Sequence, residues 1–128
     1  MLADAPVAPI LVAADIKRAK RFYIEKLGLR SVEMPGVPED GALFGCGDGT
    51  MLYMYEREGG TKADHTAAGW RVDDIEKAVD KLRDKGVVFE QYDMPGLTTD
   101  ERGIAADGSA KSAWFKDTEG NILAISEY

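Results

Sequence analysis

The stretch Ala14-Asp15-Ile16-Lys17-Arg18-Ala19 returns in altered form as Asp73-Asp74-Ile75-Glu76-Lys77-Ala78. At an offset of 59 residues Asp15 meets Asp74, Ile16 meets Ile75, and Ala19 meets Ala78. Deleting one residue from the first copy then brings Gly28 onto Gly86 and Leu29 onto Val87. A repeat of this kind is weighed first because it decides the architecture. In each copy a short apolar segment, Ile10 to Ala13 and Gly69 to Val72, precedes an aspartate. That aspartate can accept hydrogen bonds from the free N–H groups of a helix start. Ile16, Ala19, Phe22, Tyr23 and Leu27 then share one helix face, as do Ile75, Ala78, Val79 and Leu82. Such spacings of three and four predict amphipathic helices. Gly28 and Gly86 stand where a helix closes on a left-handed residue.

Outward from the helices the chain reads as extended segments. In the first half they are Arg30 to Met34, Ala42 to Cys46 and Thr50 to Glu56, with Asp48-Gly49 as a hairpin turn. In the second they are Val87 to Tyr92, Lys111 to Lys116 and Asn121 to Glu127. The turn Asp117-Thr118-Glu119-Gly120-Asn121 joins the last two, Gly120 supplying a positive φ. Met94 to Ser109 is a polar, glycine-containing loop, of a length often used for lids or binding loops. The expected fold is therefore α+β: two tandem β-α-β-β-β modules within one domain. Module one covers about residues 5–57, a linker about 57–64, and module two about 65–128.

Composition narrows the function classes. With 128 residues, 45% hydrophobic and 30% charged, the chain can build a folded core. Its net charge of −7 disfavours phosphate backbones and anionic lipid surfaces, so neither nucleic acid nor membrane is an expected partner. Cys46 is the single cysteine, which excludes an internal disulfide and a multi-cysteine metal cluster. The N-terminal Met-Leu-Ala-Asp-Ala-Pro lacks the basic and apolar segments of a secretory signal. No apolar stretch approaches the roughly 20 residues of a membrane span. A cytoplasmic location is expected.

Three motifs carry a family resemblance. They are Asp15-Ile16-x-x-Ala19-x-x-Phe22-Tyr23-x-x-x-Leu27-Gly28-Leu29, then Val72-Asp73-Asp74-Ile75 with Leu82 and Gly86, then Trp114-Phe115-x-Asp117-x-x-Gly120-Asn121. In this order and spacing the chain resembles the vicinal oxygen chelate superfamily of glyoxalases, bleomycin-resistance proteins and extradiol dioxygenases. The resemblance implies a glyoxalase-like fold in which the two modules pair their sheets around a shared cavity. It also implies a small-molecule ligand and a homodimer. Metal-dependent members hold one divalent ion through His, Gln or Glu on the first and last strands of each module, leaving positions open to a chelating substrate.

Carried over by position, that resemblance places the ligand sites at Ala8, Ala67 and Ala124, with a fourth near Leu52. Alanine and leucine have no donor atom, so no cofactor is expected and a divalent metal is disfavoured. Counting by twos from those positions gives Ile10, Val12, Gly69, Arg71, Asp73, Met54, Glu56, Ile122 and Ser126 as inward-facing. Trp114 and Phe115 are adjacent and point to opposite faces, so one of them should meet ligand. Arg71 is either salt-bridged to Asp73 or Glu56, or an anchor for a carboxylate or phosphate. His65 is a strand-end residue, a ligand contact or an acid–base group; with Glu56 it is the only plausible general base. The expected binding set is Arg71, His65, Met54, Glu56, Trp114 and Phe115. The expected function is metal-free small-molecule binding. The alternative is a lyase, isomerase or dioxygenase of the same superfamily.

Overall fold

A computed structural model describes residues 1–128, and the chain divides into two compact units, Met1–Thr61 and Lys62–Tyr128. In the first unit β1 (Ile10–Ala13) leads into α1 (Ile16–Arg21), followed by β2 (Arg30–Ser31), β3 (Gly41–Gly45) and β4 (Met51–Glu56). Their sheet has the order β1-β4-β3-β2, with β1 parallel to β4 and the other pairs antiparallel. Asp15 starts the helix, its carboxylate accepting the Arg18 N–H at 3.1 Å. Glu56, from the far end of β4, accepts the Ile16 N–H at 3.0 Å. Two of the orphan donors of the helix start are thereby satisfied. Leu11, Ala13, Ala42, Phe44, Leu52 and Met54 are buried on one side of the sheet, with Ile16, Ala19 and Tyr23 from the helical segment. The Tyr23 and Phe44 rings stack at 5.3 Å.

α1 continues into a π turn, Phe22–Lys26, in which the Leu27 N–H reaches back five residues to the Phe22 carbonyl. This wider turn absorbs the one extra residue that the repeat required deleting between Asp15 and Gly28, without disturbing the cap at either end.

The second unit repeats the plan. It contains β5 (Thr66–Arg71), α2 (Ile75–Asp84), the short hairpin β6 (Asp93–Met94) and β7 (Leu97–Thr98), then β8 (Ile104–Asp107), β9 (Ala110–Lys116) and β10 (Ile122–Glu127). The main sheet has the order β5-β10-β9-β8, with β5 parallel to β10. Asp74 accepts the Lys77 N–H at 3.1 Å, and Glu127, ending β10, accepts the Ile75 N–H at 3.0 Å. α2 ends in the paired reverse bonds of a Schellman motif, Gly86 N–H to the Arg83 carbonyl and Val87 N–H to the Leu82 carbonyl. Ile75, Val79, Phe115, Ala113, Leu123 and Ile125 form its core.

Two expectations about this half need correcting. Val87 to Tyr92 is not a strand: its ladder pairing is the single bridge Phe89 to Phe115, with a bond from the Glu90 N–H to the Trp114 carbonyl, and Tyr92 bonds Thr99 instead. The expected loop Met94 to Ser109 instead supplies β8, which pairs with β9 from Asp107↔Ala110 to Ile104↔Ala113. Gly108-Ser109 forms the two-residue turn, Gly108 taking φ +62°. A Gly-Ser pair is a hairpin signal, but the strand before it, Ile-Ala-Ala-Asp, has little β propensity of its own. In the first half Asp48 itself takes a positive φ of 55°, and β2 is only two residues long.

Candidate functional site

In each unit the helix covers one side of the sheet and leaves the other uncovered. Residues directly opposite in a ladder share a side, so the registers sort every candidate. In the first unit Ile10 pairs with Tyr53, Val12 with Tyr55, and Leu43 with Tyr53. These residues, with Met51, form the uncovered side. Ile10 is 63% exposed, and Met51 and Tyr55 are each 38% exposed. Leu11 pairs with Met54 and Ala13 with Glu56 on the helix side. Met54 and Glu56 are thus one residue out of step with the expectation. Met54 is core at 0% exposure, and the Glu56 carboxylate is engaged at the helix start. Their places on the uncovered side belong to Tyr53 and Tyr55, whose rings lie 6.4 Å apart.

In the second unit Gly69 pairs with Ala124, and Ala124 with Trp114. One ladder step on, Arg71 pairs with Ser126, and Ser126 with Ser112. These six lie on its uncovered side, together with Ile122 and Lys116. Phe115, 1% exposed, lies with Leu123 beneath α2, so of the adjacent aromatic pair only Trp114 is placed to meet a ligand. Ser112 and Ser126 share a hydrogen bond of 2.7 Å between hydroxyls. Tyr92 packs edge-on against Trp114 at 5.7 Å between ring centres. Burial, and then the Glu90 carboxylate, push the Tyr92 phenol above its ordinary value of 10.0, so it remains a neutral hydrogen-bonding group near pH 7.

Arg71 pairs with neither Asp73 nor Glu56. Its Nε and one terminal nitrogen donate to the Tyr128 main-chain oxygen at 3.0 and 2.5 Å, and its guanidinium lies 4.6 Å from the centre of the Tyr128 ring. His65 sits exposed just ahead of β5, its Nδ1 3.2 Å from the Thr66 carbonyl oxygen. Neither His65 nor Glu56 has a second polar side chain orienting it for proton transfer.

The register also resolves the fourth position of the resembling metal site. Ala124 lies opposite Gly69, five residues before Asp74. The matching residue, opposite Ile10 and five before Asp15, is Tyr53 rather than Leu52. Ala67 is the extra residue of a bulge, where β10 advances from Ile122 to Leu123 while β5 advances from Thr66 to Ala68. Three methyl groups and one phenol are not a divalent-ion ligand set. The carboxylates of Asp74, Glu76 and Glu127 do lie within 4.8 Å of one another. Each is already used: Asp74 and Glu127 hold the α2 start, and Glu76 bonds Lys111 at 3.0 Å. Grooves of about 430 Å³ near Lys17 and Pro38 and about 340 Å³ near Arg83 and Phe89 contain none of the expected binding residues.

Comparison with known proteins follows the same lines. The family model for the Glyoxalase/Bleomycin resistance protein/Dioxygenase superfamily matches residues 6–125. The chain belongs to that superfamily. No curated protein matches it. Among solved structures it resembles TnmS3, an antibiotic-binding protein from a Streptomyces species, at 21% identity, TM-score 0.73, and coverage of 99% of this chain and 98% of that one. It also resembles an integron cassette protein from the Halifax Harbour sewage outfall metagenome, at 18% identity, TM-score 0.69, and coverage of 98% and 99%. A lactoylglutathione lyase from Agrobacterium tumefaciens is similar at 19% identity, TM-score 0.68, and coverage of 97% and 93%. At these identities the structures establish a glyoxalase-like fold of tandem modules. Besides Tyr53 and Tyr55, which stand where Met54 and Glu56 were expected, Tyr92 and Ser112 were not among the expected binding residues. Ser112 was within reach by counting two back from Trp114. Tyr92 ends the expected strand Val87 to Tyr92, which the structure does not form, so counting along it gave no side.

Proposed function

We propose that this superfamily member binds a small organic molecule on the uncovered side of a sheet and does so without a resident metal ion. The observation that carries the proposal is the content of the four family ligand positions: Ala8, Ala67, Ala124 and Tyr53. Apolar and aromatic surface with a few polar groups is the usual lining of a small-molecule site; Ile10, Val12, Tyr53 and Tyr55 supply it in the first unit, and Trp114, Ser126 and Arg71 in the second. The antibiotic-binding activity in the name of TnmS3 supports sequestration of a natural product as the form of binding. A homodimer belongs to the proposal on the strength of the resemblance alone. So does a cytoplasmic location, supported by the single free cysteine, Cys46; no helix is long and apolar enough to cross a membrane.

Thermal melting tests the proposal. Added Mn²⁺, Ni²⁺ or Zn²⁺, and added chelator, should leave the midpoint unchanged, while members of a panel of aromatic antibiotics raise it by mass action. A saturable rise with one divalent ion, reversed by chelator, would return the chain to the metal-dependent lyase, isomerase or dioxygenase reading.

A further inference from the structure

The uncovered side of the second sheet is divided by chemistry along its strands. One ladder line is Gly69, Ala124 and Trp114; the next on that side is Arg71, Ser126 and Ser112. Same-side positions two apart along a strand are separated by about 6.6 Å, and neighbouring strands by about 4.8 Å. The first line is a flat seat. Gly69 is exposed and has no side chain, Ala124 is recessed at 8% exposure, and Trp114 closes the end with Tyr92 braced against it. Such a seat suits a planar ring, because flat apolar surface can meet it over its whole area and Trp114 can pack at its edge or face.

The second line is polar and carries Arg71, whose guanidinium is bonded to the main-chain oxygen of Tyr128, the last residue of the sequence. Lys116, also on this side, has Glu90 at 3.7 Å. Arg71 has no carboxylate side chain at all. Of its five N–H donors, Tyr128 takes two, which fixes the guanidinium and leaves three. The Ser112 and Ser126 hydroxyls beside it bond each other and keep acceptor and donor capacity to spare. We propose that the ligand is a planar aromatic acid, its ring over Gly69 and Ala124 against Trp114 and its carboxylate or comparable oxyanion at Ser126 and Arg71. This rests on the small-molecule reading above and adds the chemical class.

Gly69 supplies a clean test. A Cβ added there meets only ordinary contacts, the Ala124 carbonyl oxygen at 3.4 Å and the Ala124 methyl at 3.8 Å, and its φ is not in the left-handed region. Gly69→Leu should therefore fold normally while filling the seat. Calorimetric titration would use 2-naphthoate and its neutral counterpart 2-naphthalenemethanol. The full chain should bind the acid at least about tenfold more tightly, the margin expected of a charge-assisted hydrogen bond. Arg71→Gln should remove that margin and leave the alcohol unaffected. Gly69→Leu should abolish both at unchanged melting temperature. If the alcohol binds as well as the acid and Gly69→Leu still blocks it, the aromatic-acid class is wrong while small-molecule binding stands. If neither probe binds and Gly69→Leu changes the sedimentation of the chain, a second copy occupies this side and both readings fall.

Discussion

On the helix-covered side of the two sheets, Ala42 matches Ala113, Phe44 matches Phe115, Leu52 matches Leu123 and Glu56 matches Glu127, all at an offset of 71 residues. On the uncovered side the matched pairs are Gly41 and Ser112, Leu43 and Trp114, Tyr53 and Ala124, and Tyr55 and Ser126, with no identity among them. β1 and β5 continue the contrast, with Ile10 against Gly69 and Val12 against Arg71. The covered side must fit a helix whose start is fixed by an aspartate and a strand-end glutamate, so its residues have little freedom. The uncovered side answers to something outside the module. Where one half is large the other is small at three of these positions, Tyr53 against Ala124, Tyr55 against Ser126 and Ile10 against Gly69.

Substitution of neighbouring residues separates the two sides most sharply. Phe115→Ala and Phe44→Ala should each cost about 3–5 kcal/mol of unfolding free energy, as buried aromatic truncations do. Trp114→Ala, one residue away, should cost about 1 kcal/mol, mainly its packing on Tyr92. Urea unfolding would measure all three. Equal losses at positions 114 and 115 would mean that the assignment of sides is wrong.

Glycines make the next contrast. A Cβ on Gly41 would lie 2.9 Å from the Tyr53 hydroxyl and 3.3 Å from Pro38 Cδ. Gly41→Ala should cost about 1–3 kcal/mol through overpacking. Gly69→Ala, on an open seat, should be neutral or stabilise by up to about 1 kcal/mol. Reversal of that order in thermal melts would contradict the geometry of the uncovered sides. At the helix starts the modules should agree: Asp15→Ala and Asp74→Ala are each expected to cost about 1 kcal/mol, and a clear inequality would show that the two caps are not equivalent.

The smallest effect is a difference in acid response. The Lys111 ammonium, through its hydrogen bond, holds the Glu76 carboxyl below its ordinary value of 4.5. A depressed acid contributes stability that is present above its unfolded value and lost as pH falls through the folded one. Stability should therefore fall slightly faster below pH 4.5 in the parent than in Glu76→Gln. Lys17 stands at the matching place in the first helix, and Lys17→Gln should leave the acid limb unchanged. Denaturant midpoints measured from pH 3 to 6 would test both.

This contrast also explains which parts of the molecule the sequence disclosed. The helix caps were readable because Asp15, Asp74, Gly28 and Gly86 each have a specific backbone task. The turn at Asp117 was readable too. Its carboxylate accepts the Glu119 and Asn121 N–H groups at 2.8 Å, and Gly120 takes φ +92°. The side taken by Met54 and Glu56 was not, because Met51-Leu52-Tyr53-Met54-Tyr55 is apolar on both sides and lacks the alternation that fixes parity. The pair Trp114 and Phe115 had the same ambiguity. The second repeat, at offset 71, was hidden by the residues that form the β6–β7 hairpin and the approach to β8. These lengthen the second module and shift its strands out of step with its helix.

Native mass spectrometry of protein purified without chelator, with an aromatic acid added, tests the central claim most directly. The account predicts a complex with the organic ligand, one per chain, and no divalent ion at stoichiometric occupancy. One divalent ion per chain, required for any ligand to be retained, would contradict it.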